Sequence, residues 1–91
     1  MISNLTDALD ELQRHGLVGA IQAGWLMAGT KITERADIRL VENAFAICGR
    51  NGHWVLRTDG PGQTVTEIEV EHLSAAVAEA LRWVQALSNQ S

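Results

Sequence analysis

Asn51 and Gly52 stand between two apolar runs, AFAICGR before them and HWVLRTD after. No other pair in the chain limits the fold as tightly. A two-residue β-hairpin turn of type I′ needs positive φ at both central positions, and Asn-Gly is the pair that meets this at least cost. The turn fixes a ladder in which Arg50 faces His53, Gly49 faces Trp54, Ile47 faces Leu56 and Phe45 faces Thr58. One side of that hairpin then collects Phe45, Ile47, Trp54 and Leu56; the other collects Ala44, Ala46, Cys48, Val55 and Arg57. A slip of one residue would turn the large apolar side chains to the wrong side, so the pattern specifies the register.

Further strands and helices build outwards from this hairpin. Gly60-Pro61-Gly62 reads as a bend leading to a third run, in which Thr66, Ile68 and Val70 alternate with Glu67, Glu69 and Glu71. That alternation predicts a half-buried antiparallel strand with its glutamates outwards. Leu5, Ala8, Leu9 and Leu12 recur at helical spacing among Asp7, Asp10 and Glu11, with Ser3 or Thr6 as cap and Gly16 as terminator. Leu73, Val77, Leu81, Val84 and Leu87 mark a last helix that runs from Ser74, its expected N-cap, to about Ala86 or beyond, on a face kept narrow by Ala76 and Ala80. Residues 17–29 contain Gly19, Gly24 and Gly29, which discourage a helix; a strand over Ala23 to Ala28 is expected, with Ile21, Trp25 and Met27 on one side.

With 91 residues there is material for one core and one domain, 1–91. The expected fold class is α+β: a two-layer sandwich in which an antiparallel meander of three or four strands carries an N-terminal and a C-terminal helix on its Phe45/Ile47/Trp54/Leu56 face.

Several function classes lose ground on charge and composition. The net charge of −4 opposes nucleic-acid binding, which draws on Lys and Arg to neutralise phosphate. Cys48 is alone, so no intrachain disulfide forms and a reducing compartment is expected; together with the acidic start MISNLTDALDEL and the lack of a ~20-residue apolar run, this gives a cytoplasmic expectation and no membrane span. His15, His53, His72 and Cys48 share no short ligand spacing, so no metal is expected. The glycine-proline loop leads into a strand with no lysine near it, which is a connection rather than a phosphate cradle. Cys48 sits opposite Val55 as a small apolar filler. No catalytic residue and no cofactor is assigned.

Surface chemistry remains. Glu67, Glu69 and Glu71 form a row at about 6–7 Å spacing, which needs an opposing charge; Arg57 on the preceding strand is the expected internal partner, with Arg39 as another. Such a row serves either as a solubilising, pairing-resistant edge or as a contact surface for a basic partner. Asp59, Glu67, Glu69 and Glu71 are the expected partner-binding residues, with Trp83 beside the last helix's apolar stripe as a further anchor.

The stretch GHWVLRTDGPGQTVTEIEVEHLSAAVAEALRWV, residues 52–84, resembles the C-terminal half of small bacterial toxin-immunity proteins. The resemblance implies a non-enzymatic acidic inhibitor that occludes a basic site on a toxin or effector. An inhibitor of this kind is expected to be monomeric or a weak homodimer; the alternative is a small accessory or scaffold subunit of a complex, a homodimer through its outer strand edge or the second sheet face being one form of it. The helix-strands-helix order is also that of the double-stranded RNA-binding domain, but Glu69, Glu71 and His72 stand where that domain presents lysines.

Overall fold

The computed structural model describes residues 2–35, 38–59 and 65–88, with side chains described for these apart from residues 31–42, 59 and 88. Gly60-Pro61-Gly62 and the tail from Asn89 lie outside the described residues. Among the described residues the order is α1 (Leu5–Arg14), β1 (Val18–Gln22), β2 (Trp25–Gly29), β3 (Lys31–Arg35), β4 (Ile38–Glu42), β5 (Phe45–Arg50), β6 (His53–Asp59), β7 (Val65–Val70) and α2 (Leu73–Ser88). The α+β class holds, with a sheet larger than expected. Five strands form one antiparallel sheet in the order β1-β2-β5-β6-β7, and β3-β4 is a separate two-stranded ribbon.

Asn51 and Gly52 take φ of 52° and 81°, and the β5-β6 ladder pairs Arg50 with His53, Gly49 with Trp54, Ile47 with Leu56 and Phe45 with Thr58. The register expected from the turn is therefore the one formed. A second turn has the same shape without the same residues. Ala23 and Gly24 take φ of 53° and 81° and join β1 to β2, so the strand expected over Ala23 to Ala28 forms from Trp25 as β2, and β1 is an additional strand before a tight turn. This corrects a further expectation: Ile21 pairs with Leu26, not with Trp25 or Met27, and lies on the opposite side of the sheet from those two.

The β3-β4 ribbon continues the β2-β5 ladder in one register: Ala28 pairs with Phe45 and, beyond a short break, Lys31 pairs with Glu42. At the break Asn43 has φ of 52° and its Nδ2 donates to Thr30 Oγ1 at 3.1 Å. The ribbon is thus one long hairpin, interrupted where Asn43 takes the left-handed conformation that asparagine tolerates.

Both helices lie on the face expected. Leu26, Ile47 and Leu56 from the sheet, Ala8 and Leu12 from α1, and Leu73, Ala76, Val77 and Ala80 from α2 form one buried cluster. Each large aliphatic side chain buried there contributes about 1.5–3 kcal/mol. Ala76 and Ala80 are fully buried, so the backbone of α2 approaches closely. Trp83 meets Phe45 edge to face, with ring centroids 6.2 Å apart.

The helix caps differ in detail from expectation. Asn4, rather than Ser3 or Thr6, caps α1: its Oδ1 accepts from the Asp7 N–H at 2.9 Å, while Ser3 Oγ and N donate back to Asp7 Oδ2. These Ser3 bonds, the side-chain one foremost, lower the Asp7 pKa. Gly16 ends α1 at φ of 84°, a conformation that costs a residue with a Cβ. α2 begins at Leu73, so Ser74 is inside its first turn.

The third run meets expectation in part. β7 turns Glu67 and Glu69 away from the helices, and on its other side Val70 is half-buried against the core while Ile68 remains 39% exposed and Thr66 is exposed. β7 is the last strand of the sheet, and although α2 lies over both β6 and β7, the fully buried side chains of the sheet, Leu26, Ile47 and Leu56, lie further in.

Candidate protein-contact face

No described helix covers the second side of the sheet. The printed registers lay out its rows: Gln22, Trp25, Cys48, Val55 and Glu69 run across the five strands in one row, and Ala20, Met27, Ala46, Arg57 and Glu67 in the next. In these rows Trp25, Met27, Ala46 and Cys48 on β2 and β5 are apolar, while Arg57, Glu67 and Glu69 on β6 and β7 are charged. Sequence alternation accounts for both, since each strand of the sheet sends every second side chain this way.

Apolar residues at the centre of this face are buried without a helix above them. Val55 is 2% exposed, and Cys48, paired with it, is buried and free of any disulfide. The expectation for Cys48 as a small apolar filler opposite Val55 agrees with this placement. Beside them Gln22, Ala23, Trp25, Met27, Ala46 and Arg57 line an open depression of about 500 Å³. Trp25 is half-buried there, while Met27 is 46% exposed. Methionine is a flexible, polarizable apolar side chain that adapts its shape to what lies beside it.

Electrostatics on the β7 side correct the expected pairing. Arg57 is the cross-strand neighbour of Glu67, yet the ion pair of Glu67 is with Arg50, Nη1 to Oε2 at 3.3 Å. Glu69 Oε1 lies 3.8 Å from His53 Nδ1, an ion pair only when that histidine is protonated. Arg57 and Glu71 have no ion pair among the described residues, and both are exposed. The acidic row is therefore partly answered inside the chain. Glu71 keeps a free carboxylate, and Arg57 keeps a free guanidinium at the rim of the depression.

The expected contact residues are not all brought together. Glu67 and Glu69 share the helix-free side, and Glu71 follows the end of β7, exposed. Asp59 ends β6 opposite Val65, and its side chain lies outside those described. Trp83 is on the other side of the sheet, half-buried, where with Thr66, Ile68 and Ala86 it lines a groove of about 320 Å³ between α2 and β7. Gln22, Met27 and Ala46 are not among the contact residues expected from the sequence. The two-residue alternation of Trp25 and Met27 was the available signal, and the unrecognised turn at Ala23-Gly24 hid which strand face they occupy.

Among the described residues no three His, Cys, Asp or Glu side chains come together as a metal site, and no helix is long and apolar enough to cross a membrane. No protein-family model matches this chain, and searches of curated proteins and of solved structures return no match either.

Proposed function

We propose that this chain is a non-enzymatic protein-binding protein that meets its partner with the helix-free sheet face, as a cytosolic inhibitor of the toxin-immunity type. One observation carries the reading: the Trp25/Met27 depression lies on the same face as the exposed carboxylates of β7. An apolar centre with an aromatic anchor and a charged rim is the anatomy of a contact surface. The partner site it fits is apolar with basic groups along one side. Glu71 is the first carboxylate to contribute, since Glu67 already holds Arg50, and Glu69 contributes most when His53 is neutral. Trp25, Met27 and Arg57 join the expected contact set, with Trp83 left to the opposite groove.

The test uses the protein encoded beside this one, co-expressed and titrated by calorimetry at two salt concentrations. A 1:1 complex is expected, weaker at high salt, and weakened at least tenfold by Met27→Glu and by Glu71→Lys without a fall in Tm. No complex overturns the inhibitor reading; a complex indifferent to both variants overturns the face. The accessory-subunit alternative draws on a different feature, the uncharged strand β1 at the edge of the sheet.

A further inference from the structure

The two edges of the five-stranded sheet are unlike, and we infer that β1 pairs with β1 of a second copy to continue the sheet across a two-fold axis. Among the described residues nothing pairs with the outer side of either β1 or β7. Exposed edges of this kind template pairing unless something blocks them.

The hairpin turns settle which main-chain groups each edge leaves open. A two-residue turn makes its closing pair hydrogen-bonded, and hydrogen-bonded and non-bonded pairs then alternate along an antiparallel ladder. From the closing pair Gln22-Trp25, residues Val18, Ala20 and Gln22 bond to β2. Gly19 and Ile21 therefore direct their N–H and C=O groups to the open side. The close approach of β2 to Gly19 agrees, since a Cβ there would lie 2.6 Å from Met27 O. The same alternation carried from Arg50-His53 through β6 makes Val65, Glu67 and Glu69 the residues whose main chain faces out from β7.

The β7 edge is guarded. Pairing two copies there would set glutamates against glutamates, which disfavours the contact. The β1 edge, VGAIQ, has no charge, no proline and no bulge. Centring a two-fold axis on Ala20 pairs Gly19 with Ile21 of the second copy and Ile21 with its Gly19. All four open N–H groups and all four open C=O groups of the two strands are then used. The central Ala20 pair is a non-bonded pair, whose Cα atoms come within about 4.5 Å, and alanine fits that spacing. Ile21, 38% exposed on the helix side, gains cover beside the bare Gly19 of the other copy. The interface is isologous, as a closed dimer requires, and it leaves the Trp25/Met27 depression open.

Sedimentation equilibrium and native mass spectrometry of the full chain at rising concentration test this. The expected result is a reversible shift from 9.9 kDa to twice that mass. Ile21→Pro removes a donor aimed at the second copy while sparing every β1-β2 bond, and Ala20→Lys places two like charges on the axis; both are expected to return the monomer mass. Ala20 is exposed, so the lysine variant decides the matter even where the proline variant unfolds. Glu69→Pro, the equivalent change at the other edge, is expected to leave the dimer intact. A wild-type chain that stays at monomer mass at every concentration overturns the inference. So does a dimer that survives Ala20→Lys, or one lost only with Glu69→Pro.

Discussion

Arg50 Nη1 lies 3.3 Å from Glu67 Oε2, although the two residues stand on β5 and β7 with the whole of β6 between them. In the sheet register Val55 occupies the position between, so the ion pair spans Val55, and Val55 is buried on a face that has no helix. Both charged side chains remain about half-exposed, which limits what the pair contributes. A double-mutant cycle with Arg50→Ala and Glu67→Ala is expected to give a coupling of about 0.2–1 kcal/mol that fades with salt. A coupling of several kcal/mol would mean the pair is a structural strut and Glu67 has no part in partner contact.

Ala23 offers a stabilising change. Its φ of 53° matches that of Asn51, but alanine pays more than asparagine for the left-handed region. Ala23→Asn recreates the Asn-Gly pair in the β1-β2 turn and is expected to raise stability by about 0.5–1 kcal/mol, read as a higher Tm. An unchanged or lower Tm contradicts the assigned turn.

The two sheet faces are expected to answer truncation differently. Ile47→Ala removes a fully buried side chain beneath the helices and costs about 2–5 kcal/mol. Met27→Ala, on the open face, costs less than about 1 kcal/mol because the side chain is already half in water. Urea midpoints measured side by side check the contrast. Equal losses would mean the open face is covered in solution.

Asp7 gives the N-terminal helix a dependence on pH. Ser3 bonds to the ionised carboxylate and lowers its pKa, so this stabilisation is complete above the ordinary aspartate pKa and is lost as pH falls through the lower folded value. Helix α1 is expected to fray below the usual carboxylate range, and Asp7→Asn to remove that part of the pH dependence. Amide exchange of α1 as a function of pH reads both.

How much of this was legible depended on whether the residue at a special position was the one that usually fills it. Asn51-Gly52 announces its turn because asparagine and glycine both accept positive φ, and the ladder, the buried set Phe45, Ile47 and Leu56, and the helix face followed from it. Ala23-Gly24 makes the same turn with a residue that does not advertise it, so β1 was missed and Ile21 was placed with Trp25 and Met27. The alternation in β7 tells which way Glu67 and Glu69 point. It could not tell how far α2 covers Ile68, because that depends on where the helix axis settles over β6 and β7, with Ala76 and Ala80 fully buried beneath it. Arg50 as the partner of Glu67 was equally hidden. A cross-strand rule names the adjacent Arg57, whereas a long side chain reaching diagonally over a small neighbour chooses otherwise.

Hydrogen exchange of the chain, free and bound to the protein encoded beside it, tests the contact face most directly. Protection on binding is expected in β2 around Trp25 and Met27 and in β6 and β7 around Arg57 and Glu69, with the Trp83 end of α2 unchanged. Protection confined to α2 and its groove beside Ile68, with β2 unaffected, would contradict the account.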